Sequence, residues 1–348
     1  MRIAQVAPLF ESVPPVSYGG TERVVSYLTE ALVRAGHEVS LFASGDSVTR
    51  AHLVACCPKA LRLDKACMEP LAHQVRQLEL VFRHARQFDL IHFHSDFLHF
   101  PLSRRCQVPH LTTLHGRLDI PDLRPLYAEF SDMPVVSISN AQRRPLPWLD
   151  WRGTVYHGIP ADLYRPGPGT GGYLAFLGRV SQEKRVDRAV EIARRLGMPL
   201  RVAAKVDNAD RRYYEALAPM LQHPLVEFVG EIGEMEKEEF LGNAAALLFP
   251  IDWPEPFGLA MIEAMACGTP VIAFRGGSVP EVVDEGQSGF IVDSVEAAVA
   301  AVERLPTLSR RTVRETFERR FTVSSMVEGY LAIYRSLLPA RQASRIAC

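Results

Sequence analysis

Two carboxylates, Glu255 and Glu263, lie either side of a predicted helix start in the stretch Trp253-Pro-Glu-Pro-Phe-Gly-Leu-Ala-Met-Ile-Glu263. Pro254 and Pro256 hold the entry extended, because proline fixes its own φ and pushes the preceding residue out of the helical region. The helix then begins near Phe257 or Gly258, with Leu259 following. Its first N–H groups have no intrahelical partner, the helix dipole is positive there, and Gly258 has no side chain to keep a ligand off the backbone. Such a position suits a phosphate. Glu255 precedes that seat, and Glu263 stands roughly 7 Å up the axis at ~1.5 Å per residue. Carboxylates repel phosphate but accept hydrogen bonds from hydroxyls, and a vicinal diol can offer two donors to one carboxylate. The ligand that fits has a diphosphate in the middle and a sugar at each end, which is a nucleotide sugar.

Other residues extend this chemistry. Arg179 and Lys184, at the end of a predicted strand and the start of a helix, can reach one bound phosphate, the first as a planar fork and the second as a point charge. Gly19 and Gly20, ahead of Thr21-Glu22, bring backbone N–H groups to another helix N-terminus. His115 closes a strand beside Gly116, and ligands of open α/β sheets gather at the carboxyl ends of strands. His92, His94 and Asp96 alternate as metal ligands on a strand do, but no fourth ligand or cysteine partner is near, and no metal is expected. On residue type alone each feature also fits a plain role: solvated helix-end charges, a flexible loop with Thr21 as N-cap, a structural histidine.

The elements that must position these residues alternate between strand and helix. Ile3 to Leu9 is a short apolar run of the kind buried in a parallel sheet. Thr21 to Arg34 carries Val24, Leu28 and Leu32 at helical spacing and ends at Gly36. Val39 to Phe42 completes a βαβ opening, although the connection from Phe10 to Gly20 is too long for a dinucleotide fingerprint and lacks G-x-G-x-x-G. A helix over 71–88 leads into the strand at Asp89 to His94. Strands at His110 to His115, Val135 to Ser139 and Gly153 to His157 finish the first half. Pro160 to Gly172 reads as the linker. A second α/β unit follows, with strands at Tyr173 to Gly178, Arg201 to Ala204, Glu227 to Gly230, Ala245 to Pro250 and Val271 to Phe274. Met326 to Leu338 is a closing helix with Val327, Tyr330, Leu331 and Tyr334 on one face.

Composition narrows the classes of function. With 348 residues, 47% of them hydrophobic, the chain can fill about two cores of ordinary size. A net charge of −1 and the lack of a basic tract argue against nucleic acid. The six cysteines show neither metal-ligand spacing nor the density of a secreted disulfide scaffold, and read as reduced thiols. The start reads at once as a buried strand, without the order of a signal peptide, and no run of about 18 apolar residues occurs. The expected place is the cytoplasm.

The stretch from Glu255 to Glu263 resembles the E-x7-E signature of retaining glycosyltransferases of the GT-B architecture, most closely glycosyltransferase family 4. Gly19-Gly20-x-Glu22 resembles that family's glycine-rich loop, which implies that it faces the donor diphosphate. Gly178-Arg179 through Lys184 is similar to the pair that holds the diphosphate, with Arg185 where glycine is common. The strand ending in Thr113-x-His115-Gly116 resembles one whose histidine faces the donor sugar and the reaction centre. Tyr156-His-Gly-Ile-Pro stands at the family's Asn-Gly-Ile hinge, with His157 where asparagine is usual. By the same resemblance Glu263 holds the ribose hydroxyls, Glu255 the transferred sugar, and the last helix crosses back onto the first domain.

The resemblance implies an α/β, GT-B type fold of two Rossmann-like parallel-sheet domains facing a central cleft. Its parts are an acceptor-side domain at 1–165, a donor-side domain at 166–325 and the crossing helix at 326–348. It implies a retaining hexosyltransferase that uses a nucleoside-diphosphate sugar, UDP-linked, as substrate, without cofactor or metal, since no Asp-x-Asp triplet occurs. A nucleotide-sugar epimerase of the same architecture and a non-catalytic nucleotide-sugar sensor are the alternatives. The acceptor is not legible. Phe97 to Arg105 mixes apolar and basic residues, and a packed helix with arginines at its end is favoured there over peripheral contact with a membrane.

Overall fold

The computed structural model describes residues 1–338. The chain divides into two compact units, one formed by Met1–Gly158 with the residues from Val323 onward, the other by Ile159–Thr322. These divisions fall a few residues before those that the resemblance implies at 165 and 325. The proline- and glycine-rich segment after Ile159 is structured within the second unit, where Gly167 N donates to Cys267 O at 3.0 Å and Gly169 N to Gly242 O at 2.9 Å. Arg310 fastens it further through Gly167 O at 2.9 Å.

The first unit is built on seven parallel strands: β1 (Arg2–Val6), β2 (Glu38–Ser44), β3 (His52–Cys57), β4 (Leu90–Phe93), β5 (His110–Thr113), β6 (Val135–Ser137) and β7 (Trp151–Thr154). Their order across the sheet is β3-β2-β1-β4-β5-β6-β7. The apolar runs of β1 and β4 are buried along nearly their whole length, as central strands covered on both faces must be. β3 was missed by the sequence reading, because His52-Leu-Val-Ala-Cys-Cys57 is an edge strand with four of its six residues outside the core and no strong periodicity. Helix α1 (Gly20–Arg34) follows β1, and α2 (Pro70–Arg83) precedes β4. The predicted helix over 71–88 breaks at His84 into a short 3-10 turn at Ala85–Gln87.

The second unit has six parallel strands: β8 (Leu174–Arg179), β9 (Leu200–Lys205), β10 (Val226–Gly230), β11 (Ala246–Phe249), β12 (Val271–Phe274) and β13 (Gly289–Val292), in the order β10-β9-β8-β11-β12-β13. Helix α3 (Glu234–Gly242) precedes β11, and α4 (Leu259–Ala266) runs from it toward β12. In each sheet the order reverses once, between β1 and β4 and between β8 and β11. Crossovers on either side of such a reversal leave to opposite faces and open a crevice at the carboxyl ends.

The last helix, Val323–Leu337, belongs to the first unit and closes its polar core. Tyr334 Oη lies 2.7 Å from His92 Nδ1 and accepts from Gln5 Nε2 at 3.1 Å, while Tyr330 Oη lies 2.9 Å from Thr113 Oγ1. All these side chains are buried. Tyr334→Phe strands two buried polar groups at once, and a loss of about 1–3 kcal/mol is expected in urea unfolding. Arg335→Ala, on the exposed side of the same helix, is expected to change stability by less than about 0.5 kcal/mol.

Candidate active site

In the second unit the reversal between β8 and β11 gathers most of the residues singled out from the sequence. Arg179 ends β8, the turn after it carries Glu183 and Lys184, and the chain leaving β11 carries Asp252, Trp253 and Glu255. Asp252 N donates to Glu183 O at 2.8 Å, which ties the two loops together. Lys184 Nζ donates to Glu255 Oε2, and Trp253 Nε1 reaches the same oxygen at 2.9 Å. The ammonium also lies over the Phe249 and Trp253 rings, at 5.2 and 5.1 Å from their centroids. Arg185 adopts φ 53, a left-handed conformation that explains why glycine suits this position. Its guanidinium bonds Asp187 and, at 2.8 Å, Asp252.

Helix α4 starts one or two residues later than the sequence suggested, at Leu259, with Phe257 buried ahead of it and Gly258 as N-cap at φ 84. A β-carbon on Gly258 would meet Met261 Cε at 2.6 Å, so the side chain is excluded by packing as well as by backbone conformation. The loop before it is held by the turn at Gly277 and Ser278. Ser278 N donates to Glu255 O at 2.9 Å and Ser278 Oγ to Phe257 O at 2.7 Å. Gly277, at φ 50, passes so close that a β-carbon would fall 2.1 Å from Glu255 O.

Glu263, on the buried face of α4, is paired with Lys237 Nζ of α3 at 2.6 Å. The two side chains are 5% and 11% exposed, so each carboxylate of the predicted motif sits in a nearly buried ion pair with a lysine. Lys237 was missed by the sequence reading, and its only signal was a cation in the helix before β11. In both acids one oxygen is held by the lysine, and the other has no protein partner among the described residues. Arg179, expected beside Lys184 at a bound phosphate, has acidic neighbours. It lies among carboxylates, 3.2 Å from Asp210 and 3.8 Å from both Asp207 and Glu183. The register pairs Arg179 with Lys205 at the end of β9, which brings the turn carrying Asp207 and Asp210 beside it.

In the first unit the reversal between β1 and β4 opens into a cavity of about 300 Å³. Its walls come from the chain after β1, from α2, from His94 to Asp96 after β4, from His115 and Gly116 after β5, and from Thr21 at the head of α1. Gly19 is the N-cap of α1 and Gly20 its first residue. The cavity therefore brings Thr21, which follows Gly19 and Gly20 at the helix start, and His115 to one place. His94 Nδ1 lies 2.9 Å from His115 Nε2, and His94 Nε2 lies 2.8 Å from Gln5 Oε1. His157, which stands where asparagine is usual, stacks on His115 with centroids 5.2 Å apart, a contact the sequence did not show. Burial pushes His92, His94 and His157 well below the ordinary histidine range and His115 down to about 3, so the rings are neutral. Both nitrogens of His92 face protein partners, Tyr334 Oη and Thr113 Oγ1 at 2.7 Å each, as do both of His94. Among the described residues no group of three or more metal-ligating side chains comes together.

Phe97 to Arg105 forms a turn and a short helix, Phe100–Ser103, with Phe100 buried. Arg104 is tied to Glu129 at 3.0 Å and Asp132 at 2.6 Å, so its charge is matched within the unit. No helix among the described residues is long and apolar enough to cross a membrane.

Known proteins resemble both units. A family model described as Glycosyltransferase Family 4 matches residues 18–155, and one described as Glycosyl transferases group 1 matches residues 166–319. The D-inositol 3-phosphate glycosyltransferase of Acidothermus cellulolyticus is 38% identical over 110 residues, which is 30% of this chain and 24% of that protein. The protein of the same name from Mycolicibacterium smegmatis is 28% identical over 256 residues, 62% of this chain and 55% of the relative. The chain thus spans about a quarter to about half the length of these relatives. A glycogen synthase of Mycobacterium tuberculosis is 25% identical across 96% of this chain and 95% of its own. Among solved structures, sucrose-phosphate synthase from Thermosynechococcus elongatus matches with a TM-score of 0.81 at 22% identity, over 97% of this chain and 99% of that one. Anabaena HepE in complex with UDP-glucose matches with a TM-score of 0.73 at 18% identity, over 97% and 100%. Both have the GT-B fold, and the two Rossmann-like parallel sheets described above are that fold's two domains.

One ionisable group at the head of α1 makes the first unit sensitive to pH. Burial pushes the Glu22 carboxyl up to about 7, with Glu11 nearby adding to the effect, against hydrogen bonds from backbone N–H groups that oppose it. Between about pH 4.5 and 7 the folded protein keeps a proton that the unfolded chain has lost, so this group's stabilising contribution falls as pH rises through that window. Glu22→Gln removes the titration. The variant's stability relative to wild type should therefore increase from pH 4.5 to 7 by up to about 3 kcal/mol and then level off, measured by urea unfolding at a series of pH values.

Proposed function

Because the chain belongs to glycosyltransferase family 4, we propose that it is a retaining hexosyltransferase, taking a UDP-linked sugar as donor, a hydroxyl group as acceptor and no metal ion. The observation that carries this reading is the pair of lysine-held acids beside the head of α4 at the reversal in the second sheet. A lysine on one oxygen fixes the carboxylate and offsets its charge, while the other oxygen stays available to accept a hydroxyl hydrogen. Glu263 takes the ribose hydroxyls and Glu255 the sugar to be transferred. The cavity in the first unit gives an acceptor a seat, which a nucleotide-sugar epimerase would not need.

The chemistry follows from where charge develops. As the bond between the sugar C1 and the diphosphate oxygen breaks, negative charge grows on the leaving group. Lys184, Arg179 and the free amides at Gly258 and Leu259 are the groups that stabilise it. Lys184 has three donors, so it can keep Glu255 and still reach a phosphate. The acceptor oxygen bonds to C1 on the face the diphosphate leaves, and its proton passes to a phosphate oxygen. The family resemblance supports giving His115 a part in the transfer step.

Two measurements test this. Glu263→Gln is expected to weaken free UDP roughly 10- to 100-fold, the loss of a charge-assisted contact of about 1.5–3 kcal/mol. Glu255→Gln should leave UDP affinity nearly unchanged, lower turnover and erase the preference for the intact nucleotide sugar over the bare diphosphate. Glutamine keeps a hydrogen-bond acceptor for each lysine, where alanine would leave a buried ammonium alone. Calorimetry showing equal losses, or the larger loss for Glu255, would reject the assignment. In excess EDTA, sugar transfer should persist, and complete loss restored by Mg²⁺ would refute metal independence.

A further inference from the structure

Glu255 is held by two donors of different kinds. Lys184 Nζ and Trp253 Nε1, the latter at 2.9 Å, both donate to Oε2, which leaves Oε1 without a protein partner among the described residues. The lysine reaches in from the loop after β8 on a flexible four-carbon stem, and its ammonium is the group that a donor phosphate also draws on. The indole comes from the same stretch as the carboxylate. Glu255 N donates to Trp253 O at 2.9 Å, and Pro254 and Pro256 fix φ on either side of the acid. Gly276 packs so near that a β-carbon there would fall 2.8 Å from Trp253 O. Where the ammonium has three hydrogens to distribute, the indole has one, and it is committed to Glu255.

Resting on the transferase reading above, we propose that Trp253 is a positioning residue for the transferred sugar. Its indole N–H keeps Glu255 Oε2 in place while Lys184 shares its ammonium with the donor diphosphate, so that Oε1 stays turned to a sugar hydroxyl. The need for a second donor arises from burial. The Glu255 side chain is 8% exposed, and a carboxylate so placed loses much of its compensation once its lysine is drawn toward a phosphate. A single donor also leaves the carboxylate free to swing about that one bond, whereas donors from two segments fix its plane. The lysine thus serves two charges and the tryptophan serves one. A residue that acts on the sugar through Glu255 differs from one that merely packs the loop in what its loss spares, which is the binding of the nucleotide.

The test uses the whole protein in calorimetry with UDP, GDP and ADP and with the glucose, galactose and mannose derivatives of each. For the nucleotide that the wild type binds most tightly, and the tightest-binding of its sugar derivatives, the quantity read is the ratio of nucleotide-sugar affinity to bare-nucleotide affinity. Trp253→Phe keeps an aromatic face for Lys184 and removes the N–H. It should leave bare-nucleotide affinity within about twofold of wild type and lower the ratio about tenfold, through the loss of one bond to a charged group. In a Glu255→Gln background the same change should lower the ratio by less than about twofold, because the contact that the bond supports is already gone. A second measurement needs no change at residue 253. In protein labelled with ¹⁵N at tryptophan, the Trp253 indole signal is assigned by elimination with Trp148→Phe and Trp151→Phe. It should keep its hydrogen-bonded, downfield position when the protein is saturated with the nucleotide sugar. An unchanged ratio in Trp253→Phe, equal losses of both affinities, or an indole signal that moves upfield to the position of an unbonded N–H overturns the proposal. Failure of the transferase reading shows separately, as a wild type that binds none of the nucleotides and none of their sugar derivatives.

Discussion

The geometry of both units rests on one constraint: parallel strands must be joined by right-handed crossovers, so a sheet whose order reverses leaves a crevice at the carboxyl ends where it does so. In the first sheet that place lies between β1 and β4, and the cavity is there. In the second it lies between β8 and β11, and Lys184 meets Glu255 there. No residue needs to be brought far. Arg179, Lys184, His94 and His115 lie at or shortly after the ends of strands whose core burial is settled by apolar runs such as Ile3 to Val6 or Ala246 to Phe249, while Glu263 and Lys237 reach the site from α4 and α3.

On that scaffold the lysine–carboxylate pairs carry an energetic tension. Taking both charges of a pair out of water costs several kcal/mol per ion, and their attraction recovers it only when the geometry is good and the remaining polar atoms are satisfied. Among the described residues one oxygen of Glu255 and one of Glu263 lack a protein partner, so each pair leaves an acceptor open to a ligand. Apolar residues of similar volume would pack at least as well. The pairs are better understood as parts of a binding site, where a hydroxyl completes the carboxylate and a phosphate completes the ammonium.

The fold was largely legible in the sequence because it depends on period and punctuation, which short windows reveal. Buried four-residue strands, the helical spacing of Val24, Leu28 and Leu32, and the Pro-Phe-Gly entry to α4 all appear in the structure near where the sequence placed them. What escaped was of another kind. The edge strand β3 buries too little to show a period. The segment from Pro160 to Gly172 has the composition of a linker, yet its backbone groups find partners in Cys267, Gly242 and Asn243, far along the chain. Arg179 looked like a free phosphate ligand because Asp207 and Asp210, which surround it, arrive through the register of a neighbouring strand. Lys237 and Gln5 were passed over for the same reason, since neither belongs to a local pattern.

Gln5 shows how far a single polar residue can reach. It occupies a fully buried position in β1, where the run Ile3-Ala-Gln-Val6 is otherwise apolar, and a buried amide must find partners for both of its ends. Its nitrogen meets the tyrosine of the last helix and its oxygen meets His94, so one side chain links an element more than three hundred residues away in sequence to the ring that contacts His115. Because the rings are neutral, each hydrogen bond in the series has a direction, and reversing any one of them would reverse the next. The orientation of an amide in the core thus decides which way the hydrogen bond between His94 and His115 runs. Valine at this position would leave the buried Tyr334 hydroxyl and His94 ring without these bonds.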